Sequence, residues 1–242
     1  MRLTRVYVDT PLAVGARCEI DGTAANHITR VLRLRNGDEL TVFDGRGGEY
    51  AARVDSIRKD VVLVDVRDHR PLERESPLLL TLAQGVSRGE RMDLVIQKAT
   101  ELGVHRIVPL LTERSIVKLD AHQSERKRQH WRGITIAACE QCGRNTLPHL
   151  DAPTTLYDFL RNAPTTATRV LLSPDGTTRV RDLSNSRALT ILIGPEGGLA
   201  ENEREAATSS GFERVSLGPR ILRTETAAIA ALASLQAQLG DF

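Results

Sequence analysis

The sequence predicts a two-part α/β protein: a small β-rich domain over residues 1–71, and a larger domain of alternating strands and helices over residues 78–242. Three observations predict it. The first 70 residues carry several short runs in which polar and apolar residues alternate, the period of a half-buried strand. A charged, proline-flanked stretch follows, from Asp68 to Pro77. Beyond it the rhythm changes to strand–helix repeats, which argue for βα units and a mainly parallel sheet.

In the first domain, strands are expected at Arg2–Asp9, Glu39–Asp44, Glu49–Ile57 and Val61–Arg67, with turns at Gly45–Gly48 and Lys59–Asp60. One helix is expected over Thr23–Leu34, with Ala24, Ile28, Val31 and Leu32 on its apolar side. His27, Arg30 and Arg33 stand three apart, so an α-helix would put them on one face. Such a row suits a phosphate backbone, and it equally suits a solvated helix face. In the second domain, Leu78–Ala83 reads as a buried strand and Glu90–Leu102 as a helix closed by Gly103. Arg106–Leu111 is the next strand. Helices follow at His122–Cys139 and Leu156–Asn162, then strands at Arg169–Leu172, Ala188–Ile193 and Arg214–Leu217. The last helix is Thr224–Leu239. Its stripe of Ile229, Leu232, Leu235 and Leu239 fits either a core or a dimer interface.

Composition narrows the function classes. The chain has 242 residues, 40% hydrophobic and 26% charged, as expected of a core-forming globular protein. No run of about 18 apolar residues is present, and the first residues lack a secretory apolar segment. No membrane partner is expected, and the expected location is cytoplasmic. The three cysteines are too few for a disulfide framework. Cys139 and Cys142 make a lone Cys-x-x-Cys, and His122, His130 and His149 add no recognised zinc spacing, so no metal is expected. The formal net charge is only +2, but basic residues cluster locally, as at Arg30, Arg33 and Arg35.

Three late strands end alike. Leu172 runs into Ser173-Pro174-Asp175-Gly176, Ile193 into Gly194-Pro195-Glu196-Gly197-Gly198, and Leu217 into Gly218-Pro219-Arg220. Proline cannot donate to a ladder, so each marks a strand end followed by a constrained loop. Ligands of open α/β sheets sit at the carboxyl ends of the strands, where three such loops would build a pocket. Gly194–Gly198 lacks the lysine and hydroxyl of a P-loop, and Glu196 would repel a phosphate. A cationic or zwitterionic ligand suits the loop better.

Taken together, Ile193–Gly198 and Leu217–Ala227 resemble the RsmE-type methyltransferases of the SPOUT class. Gln97–Gly103 and Glu140–Asn145 extend the resemblance over nearly the whole chain. The resemblance implies a SPOUT-type trefoil-knotted methyltransferase domain preceded by a small PUA-like β-barrel domain. It implies a homodimer that uses S-adenosylmethionine to methylate N3 of a uridine in 16S ribosomal RNA, with that RNA or the small ribosomal subunit as partner. Position by position, the cofactor pocket falls on Leu172, Ile193, Gly194, Glu196, Gly197, Gly198, Leu217, Gly218, Ile221, Leu222, Arg223 and Thr226.

Uridine N3 carries a proton at neutral pH, so the reaction needs either a base or charge that stabilises the uridine anion. Arg223 is the candidate for the charge. Glu225 and Glu140 are candidates for the base, although a carboxylate in a first helical turn, such as Glu225, is also favoured by the macrodipole alone. For RNA contacts the candidates are Arg2, Arg5, Arg30, Arg33 and Arg35, joined by Arg88, Arg91, Arg144 and Asn145. With few aromatics, charge rather than stacking should hold the RNA. The competing readings are another SPOUT RNA methyltransferase, acting on the ribose 2′-oxygen, and a non-catalytic RNA-binding protein.

Overall fold

The computed structural model of the chain describes residues 4–115, 120–183 and 186–242. It divides into two compact units, Met1–Glu75 with Ile136–Leu147, and Ser76–Thr135 with Pro148–Phe242. The change of unit after Glu75 falls inside the charged stretch. Membership of residues 136–147 in the first unit was not legible in the sequence.

The first unit is a five-stranded sheet of β1 (Arg5–Tyr7), β2 (Arg17–Ile20), β3 (Glu39–Phe43), β4 (Glu49–Arg58) and β5 (Val61–Arg70), in the order β1-β3-β4-β5-β2. The β1–β3 pair is parallel and the others are antiparallel. Alternation along β5 buries Val62, Val64 and Val66. The two edge strands feed one core, in which Val6 and Ile20 meet Val42 and Val54, so the sheet curls in a barrel-like way.

The helix expected at Thr23–Leu34 is present but differently wound. A short α1 (Gly22–Asn26) passes into a π-helical turn over His27–Leu32, and Arg33 ends it at φ 58°. A π turn bonds i to i+5 and holds more residues per turn than an α-helix. Three-apart spacing therefore no longer aligns His27, Arg30 and Arg33. Ala25 and Ile28 are buried, whereas Val31, expected on the apolar side, is 51% exposed.

The second unit carries β6 (Leu79–Gly85), α2 (Glu90–Glu101), β7 (Arg106–Leu111), α3 (Ala121–Cys142, its last turns counted with the first unit), β8 (His149–Leu150) and β9 (Thr154–Thr155). Then come α4 (Leu156–Asn162), β10 (Thr168–Leu172), β11 (Thr178–Arg179), β12 (Ala188–Ile193), α5 (Glu201–Ser209), β13 (Glu213–Ser216) and α6 (Thr224–Leu239). The strands form one parallel sheet in the order β11-β13-β10-β12-β6-β7-β8, with β9 also on β7.

Both faces of this sheet are covered, which is why its strands read as apolar runs. Met92, Val95 and Ile96 of α2 and Leu232 and Leu235 of α6 pack with Leu80, Leu82 and Ile191. On the other side, Leu156, Phe159 and Leu160 of α4 and Ala207 of α5 pack with Ala83, Leu171 and Leu192. Leu232 and Leu235 are thus core residues of a single chain.

Register places the three proline loops together. Leu171 pairs with Leu192 and Leu172 with Val215, so β12, β10 and β13 end side by side. After β13 the chain turns back, and the Thr224 hydroxyl donates to the Gly194 carbonyl at 2.7 Å, at the end of β12 on the far side of β10. That return is the path a knotted C-terminal segment takes.

Candidate functional site

The three loops and the start of α6 enclose a pocket of about 420 Å³, within the range of roughly 300–1,000 Å³ usual for small-molecule sites. Leu171, Leu172, Ile193, Leu199, Leu217 and Leu222 give it apolar walls. The Pro195–Gly198 segment is a tight turn, closed by the Gly198 N–H on the Pro195 carbonyl at 2.9 Å. Gly198 sits at φ +67°, where a side chain would strain the backbone. A Cβ on Gly194 would stand 3.0 Å from the Gly198 carbonyl carbon and the Leu199 nitrogen, so the turn folds back on itself with no room to spare.

The structure brings together Leu172, Ile193, Gly194, Glu196, Gly197, Gly198, Leu217, Gly218, Ile221, Leu222 and Arg223 around this pocket. Thr226, expected there, is exposed and does not line it, because the first turn of α6 presents Thr224, Glu225 and Ala227 instead. Ile221 lies on the rim and is 85% exposed, which is more open than an apolar wall should be.

Charge at the pocket is organised by Arg91. Glu196 Oε1 accepts from Arg91 Nη1 at 3.1 Å and from the Arg88 backbone N–H at 2.9 Å. Burial alone would lift the Glu196 carboxyl, but these hydrogen bonds and the Arg91 charge outweigh it and hold it below the usual glutamate range. Glu196 therefore stays ionised and is paired with Arg91 within the chain. Glu225 stands differently. Its Oε1 is 4.0 Å from Arg91 Nε, while its Oε2 is buried with no hydrogen-bond partner among the described residues. Arg223 caps α6 with its backbone, and its exposed guanidinium has no ion-pair partner among the described residues.

Comparison with known proteins decides the family. Residues 74–236 match the family model described as an RNA methyltransferase domain, and residues 20–66 match the RNA methyltransferase PUA domain. The ribosomal RNA small subunit methyltransferase E of Buchnera aphidicola is 33% identical over 241 residues, covering 99% of this chain and 98% of its own. The chain belongs to the ribosomal RNA small subunit methyltransferase E family. Among solved structures, the Neisseria gonorrhoeae methyltransferase E bound to S-adenosyl methionine is 37% identical, covers 99% of each chain and superposes with a TM-score of 0.91. A Legionella pneumophila methyltransferase, Lpg2936, in complex with its cofactor SAM, is 41% identical over 100% of both chains with a TM-score of 0.96.

Several candidates lie away from the expected place. Arg5, expected to touch RNA, is 3% exposed: it is ion-paired with Glu49, donates to Asn145 Oδ1 at 2.7 Å and lies over the Phe43 ring. Arg144 is equally buried and paired with Glu75, and Asn145, fully buried, donates to the Leu72 carbonyl at 2.6 Å. These three build the interior of the first unit, because a buried charge needs a partner more than it needs a ligand. Glu140 accepts the Tyr7 N–H at 3.0 Å within the first unit and is not among the residues that line the pocket. Arg2 lies outside the described residues. Arg30, Arg33, Arg35 and Arg88 are exposed.

Sequence reasoning missed Arg204 and Arg220 on the rim, and Thr224 and Ala227 on the helix face. Arg91, expected among the RNA contacts, also lines this pocket. No group of three or more His, Cys, Asp or Glu that would hold a metal occurs among the described residues. No helix among the described residues is long and apolar enough to cross a membrane.

Proposed function

We propose that the chain transfers a methyl group from S-adenosylmethionine to N3 of a specific uridine in 16S ribosomal RNA. The observation that carries this reading is the three-loop pocket, with an unpartnered buried carboxylate oxygen on Glu225 and an uncommitted arginine, Arg223, at its edge. Two relatives of 37% and 41% identity, both solved with that cofactor, support it.

The residues present fit the cofactor. Apolar walls from Leu172, Ile193, Leu217 and Leu222 suit an adenine, and Gly194, Gly197 and Gly198 add no side chain to the cradle. The orphaned Glu225 oxygen is an acceptor awaiting a donor. When bound, the cofactor supplies a methyl group already activated on a positively charged sulfur. The chain's own work is then positioning and proton management. Arg223 stabilises the negative charge that develops on the uridine ring as N3 loses its proton. Glu225 receives that proton, directly or through a water.

The RNA partner, whether free 16S RNA or the small subunit, is held through charge by exposed arginines such as Arg30, Arg33 and Arg35. A homodimer is part of the same proposal, and it would give cover to Ile221, an apolar side chain left 85% exposed on the pocket rim. The same reading has the chain work in the cytoplasm and without a metal, because the methyl group arrives already activated on the sulfonium. The test is in cells. In a bacterium lacking its own methyltransferase E, expression of this chain should restore N3-methyluridine to 16S RNA. A restored 2′-O-methyl mark, or none with the protein expressed and folded, would refute the assignment.

A further inference from the structure

Gln84 is a fully buried amide at the end of β6, a central strand whose other buried residues include Leu80, Leu82 and Ala83. It does not line the pocket, yet it holds two elements that do. The two hydrogens on its Nε2 face three acceptors, one hydrogen being shared: Thr224 Oγ1 at 3.0 Å, the Gly85 carbonyl at 3.1 Å and the Gly194 carbonyl at 3.3 Å. Thr224 Oγ1 in turn donates to the Gly194 carbonyl at 2.7 Å. One amide therefore joins the end of β6, the loop after β12 and the first residue of α6. The backbones meet closely here: a Cβ on Gly85 would lie 2.5 Å from the Pro195 nitrogen and Cδ.

The other end of the amide is informative. Gln84 Oε1 is buried and has no hydrogen-bond partner among the described residues. A buried acceptor left unmade is costly, and native interiors rarely keep one without a reason. An amide kept only to fill the interior would be satisfied at both ends or replaced by an apolar side chain. This one directs its donors to Gly194 and Thr224 at the expense of its acceptor. Gly194 and Thr224 line the pocket, and Thr224 stands between Arg223 and Glu225.

We propose that Gln84 is a positioning residue for methyl transfer: through Thr224 it locks the Gly194 loop to the start of α6, and so sets the cofactor cradle, Arg223 and Glu225 in one fixed arrangement. The proposal rests on the reading of the pocket as an S-adenosylmethionine site. Glutamine 84 and threonine 224 act as a single link, so cutting either one should release the same geometry.

The test is calorimetric titration of S-adenosylmethionine into the full-length chain and into Gln84→Met, Thr224→Val, Thr224→Ser and the Gln84→Met/Thr224→Val double variant, with thermal unfolding of each. Gln84→Met and Thr224→Val should each bind about tenfold more weakly, a loss of the order expected for one buried hydrogen bond. The double variant should be no worse than either single variant, because both cut the same link. Thr224→Ser, which keeps the hydroxyl, should recover most of what Thr224→Val loses. Wild-type affinity in folded Gln84→Met, or losses that add in the double variant, would overturn the proposal. If Gln84→Met does not fold, equal affinities of Thr224→Ser and Thr224→Val overturn it instead. A wild-type chain that does not bind S-adenosylmethionine at all would overturn the pocket assignment itself, and this link with it.

Discussion

Arg91 Nη1 donates to Glu196 Oε1 across 3.1 Å, and the same guanidinium lies 4.0 Å from Glu225 Oε1. One cation from α2 thus stands against a carboxylate of the loop after β12 and a carboxylate of α6. The planar guanidinium can serve two partners at once, which a lysine ammonium does less well. Arg91→Ala should lower kcat/KM for methyl transfer by about tenfold, the lower part of the range for hydrogen bonds to charged groups because the side chain is half exposed. Arg91→Lys should fall between the two. Steady-state kinetics with the RNA held constant checks this, and an alanine variant within twofold of wild type would deny Arg91 its place at the site.

The buried cluster of Arg5, Glu49, Arg144, Glu75 and Asn145 leads to a prediction of the opposite kind. Removing one partner of a buried ion pair leaves an uncompensated charge, which costs about 3–5 kcal/mol. Glu49→Gln should therefore destabilise the chain by that order in denaturant unfolding. The salt dependence of RNA binding, measured on the folded protein, should stay as it is. Arg35→Ala should do the reverse: stability stays within about 0.5 kcal/mol, while the slope of log K against log salt falls by about 0.7, one single-stranded phosphate contact. A Glu49 variant that changes the salt slope and leaves stability untouched would return this cluster to the RNA surface.

How much of this was legible in the sequence follows from what each residue contributes. Strands β7 and β12 and helices α4 and α6 appear at the expected residues because each is an apolar run or periodic segment bounded by Gly, Pro or a polar turn. The pocket loops were legible for the same reason, since proline after an apolar strand constrains the backbone locally. Helix α5 was not: over Glu201–Ser209 its buried residues are only Glu203 and Ala207, so no apolar stripe marks it. Strand β2, Arg17–Ile20, offers just two buried positions, and β8, β9 and β11 are two residues each. Arg5 read as a surface arginine, and the pairing of Arg91 was hidden, because their partners, Glu49 and Glu196, lie 44 and 105 residues away. Gln84 was invisible for a related reason, as its partners Gly194 and Thr224 are 110 and 140 residues distant.

Glu140 provides a pH test. Burial lifts its carboxyl above the ordinary range, and the Tyr7 N–H at 3.0 Å opposes that without cancelling it. A carboxyl with a raised folded pKa binds its proton more tightly in the folded chain. Its stabilising contribution is therefore complete below the unfolded pKa of about 4.3 and is lost as pH rises through the folded value. Glu140→Gln keeps an acceptor for Tyr7 and removes the buried charge. Its thermal midpoint should exceed that of wild type at neutral pH, and the gap should close as pH falls toward the glutamate range. Parallel midpoints at every pH would show that the wild-type carboxylate carries no burial cost.

The most direct measurement is transfer of labelled methyl from S-adenosylmethionine to small ribosomal subunits that lack the modification, followed by nucleoside analysis of their RNA. Wild-type protein should yield N3-methyluridine at one site, and Arg223→Ala, with unchanged thermal stability, should yield none. Label in another nucleoside, or undiminished N3-methyluridine from the Arg223 variant, would contradict the chemistry assigned to this pocket.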